Sequence, residues 1–295
     1  MKKVLITGAN SYIGVSFDNY VKEHHDLELS IDTVDMIDGS WRKKDFSLYD
    51  VVYHVAGIAH ADVEHVSDEV KAKYYTINTD LAIATAKKAK EEGVRQFVFM
   101  SSAIVYGDSA PYGKTKRITA ETEPQPANFY GDSKWQADKG VRELADRNFI
   151  VTVLRPPMIY GKNSKGNYST LARMAKKLPI FPDVENERSM LYIENLCEFL
   201  CQVMLREEGG VYWPQNETYT RTSEMVKMIA EVSGHKIAVS KMWNWMVGLA
   251  FLLPGKSKRL ANKAFGNLTY DQSISKYWFE YCVADLRTSI ERTEG

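Results

Sequence analysis

Short apolar runs that end on glycine or small polar residues, each followed by a stretch with helical spacing, recur along the first 160 residues of the chain. Lys3 to Thr7 stops at Gly8, after which Ile13, Phe17 and Val21 recur every four residues. Ile31 to Met36 and Val51 to Val55 are further extended runs, the second closed by Ala56-Gly57. Each is apolar enough to be covered on both faces, a pattern that belongs to parallel strands with helices above and below their sheet. Asn78 to Glu92 carries Leu81, Thr85 and Ala89 on one stripe and ends at Gly93, the residue best suited to the turn that closes a helix. Gln96 to Met100 then runs into Ser101-Ser102, and Ile150 to Leu154 into Arg155-Pro156-Pro157, with helical spacing from Tyr130 to Arg147 between them. The alternation predicts an α/β fold built on a doubly wound parallel sheet, whose ligands sit beyond the carboxyl ends of its strands.

Beyond residue 160 the pattern is less regular: a Gly, Asn and Lys-rich loop at Gly161 to Asn167, a helix around Leu171 to Lys177, and a helix with Met225, Ile229 and Val232 stopped by Gly234. We expect a cofactor-binding domain over residues 1–160 and a smaller C-terminal substrate-binding lobe over 161–295, partly interleaved with the first. Thirty-eight Lys and Arg balance thirty-eight Asp and Glu, so no net positive field exists to hold a nucleic acid. Hydrophobic residues at 44% argue against disorder. Three cysteines are too few for a disulfide framework and suit a reducing compartment, and Cys197 and Cys201, four apart, are expected as buried thiols. The start MKKVLITGAN has no signal-peptide apolar region, so the expected location is the cytoplasm.

The first turn, Thr7-Gly8-Ala9-Asn10-Ser11-Tyr12-Ile13-Gly14, stands between strand and helix, as a pyrophosphate cradle must. Gly8 allows a tight turn, Gly14 lets helix approach sheet, and the helix N-terminus offers N–H groups to phosphate oxygens. The G-x-G-x-x-G string itself is not met, because Ala9 and Ser11 depart from it. Asp35, 21 residues beyond Gly14, would hydrogen-bond the adenosine ribose hydroxyls and repel a 2′-phosphate, which favours NAD over NADP. Asp32 competes for that role, and Arg42 lies downstream where a phosphate could be held.

Tyr130 and Lys134 are spaced i, i+4 near the start of a helix and share a face. A phenol of pKa about 10 is a poor base at neutral pH, but a neighbouring ammonium favours its phenolate. Ser102, just past a predicted strand end, would hold a substrate hydroxyl against Tyr130.

Taken in order, Thr7 to Gly14, His54-Val55-Ala56-Gly57, Asn78, Ser101-Ser102-Ala103 with Val105-Tyr106-Gly107, Tyr130 with Lys134, and Leu154-Arg155-Pro156-Pro157 with Tyr160-Gly161 resemble the extended short-chain dehydrogenase/reductases. These enzymes have a Rossmann fold. The runs Lys165-Gly166-Asn167-Tyr168, Asn186-Glu187-Arg188-Ser189, Glu194-Asn195-Leu196 and Phe265-Gly266-Asn267-Leu268 are similar to a branch of the nucleotide-sugar epimerase/dehydratase group that holds UDP-hexose 4-epimerases and UDP-4-keto-hexosamine reductases.

The resemblance implies Tyr130 as acid/base, Lys134 lowering its pKa and holding the nicotinamide ribose, and Ser102 hydrogen-bonding the sugar hydroxyl with Ala103 beside it. It places Gly8, Asn10, Ser11, Tyr12, Ile13 and Gly14 along NAD, together with Ala56, Gly57, Asn78, Ser101 and Pro157. Asp45 and Phe46 match an adenine-contacting acidic-apolar pair, and Asn167 and Arg188 match positions that grip the nucleotide diphosphate. Ser11 stands where the family's cradle has its middle glycine, and Met158 where galactose-type epimerases carry an asparagine beside the substrate. The implied partners are a UDP-sugar and a second copy of the chain, paired through the helices near Asn78 and Tyr130. Three functions follow: an NAD-dependent epimerase at the 4-position of a UDP-hexose or UDP-N-acetylhexosamine, a UDP-4-keto-6-deoxy-hexosamine reductase, or a non-catalytic dinucleotide sensor, against which the complete Ser102, Tyr130 and Lys134 set speaks.

Six histidines form no metal motif, so no metal is expected, although His60 could line the substrate cleft. Met242 to Leu253 is twelve mainly apolar residues followed by Lys256, Lys258, Arg259 and Lys263. It is shorter than the about 20 residues that span a bilayer, and reads as a packing helix or, alternatively, a surface-bound membrane contact.

Overall fold

In the computed structural model, Val4 and Ile6 face one hydrophobic core while Leu5, between them, faces another. The same division recurs along the next strands: Val51, Tyr53, Val98 and Met100 belong to the first core, and Val52, Phe97 and Phe99 to the second. Period-two side chains buried on both faces are what a helix-covered parallel sheet requires. The structure describes residues 1–59, 66–111, 113–252, 261–262 and 264–295. His60 and His65, and the basic stretch 253–260 with Lys263, lie outside them.

The six strands of the sheet are β1 (Lys2–Thr7), β2 (Leu29–Val34), β3 (Val51–His54), β4 (Gln96–Met100), β5 (Ile150–Leu154) and β6 (Gly210–Tyr212). All pair in parallel, in the order β6-β5-β4-β3-β1-β2. The chain moves outward from β1 to β2 and then returns to β3 on β1's other side. The strand order therefore reverses between β1 and β3, where Thr7 stands opposite His54, and a crevice opens beyond their carboxyl ends.

Helices α1 (Tyr12–His24) and α6 (Ile193–Leu205) pack together and cover the first core, with Phe17, Val21, Leu196 and Leu200 buried between them and the sheet. The second core is covered by α3 (Leu81–Glu91) and α4 (Phe129–Arg142), through Ala82, Ala86, Ala89, Ala137 and Val141. Small residues on these helices let them lie close to the aromatic side chains of β4. The helix expected from Asn78 starts earlier: α2 (Asp68–Tyr74), capped by Ser67, passes through a π-helical segment at Tyr75–Asp80 directly into α3. Asn78 thus lies in the wide turn rather than at a helix start.

The C-terminal part carries α5 (Asn167–Ala175), α7 (Thr222–Val232), α8 (Asn244–Leu252) and α9 (Leu286–Glu294). Three two-stranded parallel pairs tie its loops together: Met158–Tyr160 with Met190–Tyr192, Ile180–Pro182 with Ala238–Ser240, and Arg117–Ile118 with Thr269–Tyr270. Strand β6 comes from this part of the chain yet completes the edge of the large sheet against β5. Cys197 and Cys201 are buried and unpaired. No described helix is long and apolar enough to cross a membrane.

Candidate active site

At the end of β1 the backbone turns sharply through Gly8, whose φ is +103°. A Cβ there would lie 2.9 Å from the backbone nitrogen of Ala56, so only glycine lets the two loops touch. Ser11 caps α1, its hydroxyl accepting the Gly14 N–H at 3.0 Å. The departure from glycine at this position therefore supplies a helix cap. The N–H groups of Tyr12 and Ile13, in the first turn, have no intrahelical acceptor and remain for an anion. Asn10 is exposed and Tyr12 half-buried, its hydroxyl lacking a hydrogen-bond partner among the described residues.

Asp35 is the first residue beyond β2, its Oδ1 accepting the Ile37 N–H at 2.7 Å. Asp32 sits inside β2, bound by Lys44 at 2.6 Å and by the Tyr49 hydroxyl. Of the two carboxylates considered for the ribose, only Asp35 stands at the strand end. The Arg42 guanidinium lies 4.7 Å over the Trp41 ring. Asp45 is exposed and accepts from the Ser47 N–H and hydroxyl. Phe46, paired with it in the sequence reading, points the other way: its ring is wholly buried in the second core and its N–H donates to Glu92 at 2.6 Å.

Beyond β3, Asn78 clasps the loop that holds Ala56 and Gly57. Its Oδ1 accepts the Ile58 N–H at 2.9 Å, and its Nδ2 donates to the Ile58 carbonyl and to Ser133 Oγ, both at 3.1 Å. The π-helical turn delivers this side chain, consistent with such turns gathering at functional sites. A Cβ on Gly57 would meet Asn78 Oδ1 at 3.0 Å and Lys134 Nζ at 3.2 Å. Gly57, Asn78 and Lys134 are therefore in mutual contact range.

Beyond β4, Ser101 and Ser102 diverge. The Ser101 hydroxyl turns inward and donates to Asp138 Oδ2 at 2.9 Å. Ser102 is half-buried and caps a short 3-10 turn, Ala103–Tyr106. Ala103 N–H bonds the Pro156 carbonyl at 2.9 Å, which draws the loop containing buried Pro157 to the same rim.

Tyr130 and Lys134 project from the first turns of α4, capped by Asn128. The Lys134 ammonium donates to the Met100 carbonyl at 3.0 Å. Burial pulls its pKa down to about 8, against an opposing pull from Asp138. Burial pushes the Tyr130 phenol up to about 12, helped by Tyr74, whose ring meets it edge-on at 5.9 Å. Among the described groups, desolvation is the largest influence on this phenol.

Two buried features escaped the sequence reading. Asp138, one turn beyond Lys134, takes Arg155 on both oxygens at 2.9 Å and Arg142 at 2.9 Å, and Arg155 in turn donates to Tyr106 Oη at 2.7 Å. The i, i+4 extension of the Tyr130–Lys134 stripe was the available signal. His54 is fully buried, bonded to Thr7 Oγ1 at 2.8 Å, with Nε2 lacking a described partner. Burial, assisted by the Lys134 charge, lowers its pKa to about 3. Far from the crevice, between α1 and α6, His25, Glu198 and Cys201 cluster, but both His25 ring nitrogens are taken, by Glu28 at 2.7 Å and Glu198 at 2.9 Å.

Asn167 is exposed at the start of α5. Arg188 is buried, donates to the Gly266 carbonyl at 2.8 Å, and has no acidic partner among the described residues. Burial without a counter-charge brings its pKa down to about 10. A guanidinium so held is a ready partner for an anion.

The family model described as the NAD dependent epimerase/dehydratase family matches residues 4–213. A UDP-glucose 4-epimerase of Vibrio cholerae is 28% identical, over 93% of this chain and 89% of its own length. An N-acetyl-alpha-D-glucosaminyl-diphospho-ditrans,octacis-undecaprenol 4-epimerase of Escherichia coli O157:H7 is 31% identical, over 54% of this chain and 48% of its own. Among solved structures, that of a UDP-N-acetylglucosamine 4-epimerase from Bacillus cereus superposes with a TM-score of 0.75 at 16% identity, covering 100% of this chain and 98% of the other.

Proposed function

Because the chain belongs to the NAD-dependent epimerase/dehydratase family, we propose that it inverts the 4-position of a UDP-linked hexose or N-acetylhexosamine through a 4-keto intermediate. The observation that supports this reading is that α4, which carries Tyr130 and Lys134, packs against the 3-10 turn capped by Ser102, with the Lys134 ammonium between the Met100 carbonyl and Gly57. The Gly8 cradle, the first-turn N–H groups of α1 and the Asp35 carboxylate fit a dinucleotide, since a Cβ at Gly8 would fill the close approach to Ala56. Those groups, with Asn78 and Lys134, would hold NAD, whose chemistry is to accept a hydride and give it back.

Tyr130 takes the proton of the sugar 4-hydroxyl and later returns it, so the phenol ends each turnover as it began. Its pKa of about 12 leaves it protonated at rest, and its work as a base needs positive charge at its oxygen. Lys134, with a pKa of about 8, keeps most of its charge at neutral pH and supplies part of that field. Ser102 orients the hydroxyl. Arg188 and Asn167 anchor the diphosphate while the keto sugar turns its other face to the cofactor. Two copies would pair through α3 and α4, and sedimentation at the mass of a dimer tests that.

Incubating the protein with NAD and UDP-glucose or UDP-N-acetylglucosamine should yield the 4-epimer with no net NADH. Stoichiometric NADH loss with a UDP-4-keto sugar, and no epimer, would replace epimerisation with the reductase reading.

A further inference from the structure

Helix α1 starts at the Gly8 cradle and runs 13 residues, about 20 Å, toward the amino ends of the strands, where His25 caps its C-terminus. The His25 carbonyl accepts the N–H groups of Glu28 and Leu29 at 3.0 and 2.9 Å, so the turn into β2 folds Glu28 back onto the imidazole. On α6, which packs against α1, Glu198 and Cys201 are three residues apart and share a face.

The two bonds of the His25 ring differ in kind. Nδ1 reaches Glu28 at 2.7 Å, the carboxylate–imidazole pairing that orients a histidine whose other nitrogen holds a metal. Nε2 reaches Glu198 Oε2 at 2.9 Å. A carboxylate only accepts, so each ring nitrogen carries a proton, and the proton on Nε2 stands where an ion would. Around that point a His25 nitrogen, a Glu198 oxygen and the Cys201 sulfur lie within 4.8 Å of one another. Ligand atoms on tetrahedral zinc sit about 3.3–3.6 Å apart, so side-chain shifts of about an ångström close the set.

The supporting groups are in place as well. The Tyr20 hydroxyl donates to Glu198 Oε2 at 2.9 Å and Gln202 donates to Oε1, which fixes the carboxylate before anything binds. The His25 and Glu198 side chains are 13% and 11% exposed, while Cys201 is fully buried, so the cluster is open on one side to a water as fourth ligand. Burial and the Glu198 charge hold the thiol protonated, but a coordinating thiol is deprotonated outright. Imidazole, carboxylate and thiolate together suit zinc and not magnesium or calcium, which take oxygen ligands.

We propose that His25, Glu198 and Cys201 form a zinc site that clips the end of α1 to α6. One ion displaces two protons, from His25 Nε2 and Cys201 Sγ, and its charge is balanced by the Glu198 carboxylate and the thiolate. No sequence motif marks the site, because His25 and Glu198 are 173 residues apart.

Titration of the chelator-treated protein with cobalt(II), followed by zinc, tests the proposal without NAD or sugar. One equivalent of cobalt should bind with the near-ultraviolet charge-transfer absorption of a cobalt–thiolate bond, and zinc should displace it. Cys201→Ser should remove that absorption, and Cys282→Ser should leave it unchanged. Glu28→Gln, at an exposed position, should weaken binding by about 10–100-fold while keeping the absorption. Zinc should raise the unfolding temperature of the wild type and not that of His25→Gln, which serves if the Cys201 variant does not fold. Failure to form a one-to-one cobalt complex, absorption that survives both Cys201→Ser and His25→Gln, or unchanged affinity in Glu28→Gln would leave the cluster a hydrogen-bonded ion pair and overturn the proposal. Because no arm needs turnover, loss of the epimerase reading would leave the zinc site standing.

Discussion

Tyr130, Lys134 and Asp138 follow one another at single-turn intervals on α4, and the demands on each differ. In the mechanism proposed, the phenol meets the substrate and the ammonium keeps its charge although buried, while Asp138 lies deepest, fully enclosed and bound by two arginines and Ser101. Tyr130→Phe removes only the ionisable oxygen. Turnover should fall by roughly 10²–10⁴-fold, the range for loss of a general acid-base group, while thermal unfolding and NAD affinity stay close to wild type. Turnover within tenfold of wild type would exclude the assigned role. Asp138→Asn should act on stability, because it leaves the Arg155 guanidinium buried without its counter-charge. Breaking such a pair costs about 3–5 kcal/mol, which denaturant unfolding would read directly. Neither Asp138 nor Arg155 was legible as a pair: seventeen residues separate them, and only the folded sheet brings helix α4 against the end of β5.

Elements carry the site's shape. Gly8 joins β1 to α1 in a backbone conformation that side chains resist, and its missing Cβ admits the Ala56 loop. Gly8→Ala should therefore cost more than about 1 kcal/mol in unfolding and weaken NAD binding, measured by titration of the dinucleotide. The parallel strands were legible because a strand buried on both faces is a continuous apolar run, and their carboxyl ends were marked by Gly8, Ala56-Gly57 and Ser101-Ser102. What stayed hidden depended on geometry that composition does not encode. A π-helical turn differs from its neighbours by one shifted hydrogen bond, so the spacing predicted a helix from Asn78 and missed the wide turn there. The burial of the Phe46 ring in the second core was likewise not read from its place beside Asp45.

For the molecule as a whole, the neutral imidazole of His54 beneath the crevice ties stability to pH. Its pKa is about 3 when folded and about 6.5 when exposed, so below pH 6.5 the unfolded chain binds a proton that the folded one refuses. This group's contribution is full above pH 6.5 and is lost as pH falls toward 3, by up to about 1.4 kcal/mol per pH unit. His54→Gln should flatten that acid limb in unfolding measured from pH 7 to pH 4, and an unchanged slope would show that other groups govern it. The sheet's last strand has a consequence in time. Because β6 is drawn from residues 210–212, a nascent chain that has emerged only as far as β5 presents a strand whose outer edge, including the Arg155 N–H that later meets Tyr212, has nothing to pair with. Such an edge invites pairing with other chains until nearly sixty more residues have left the ribosome, at synthesis rates of roughly 5–20 residues per second. Protection from self-association during those seconds is a task for chaperones, and a fragment ending at residue 160 would carry the bare edge permanently.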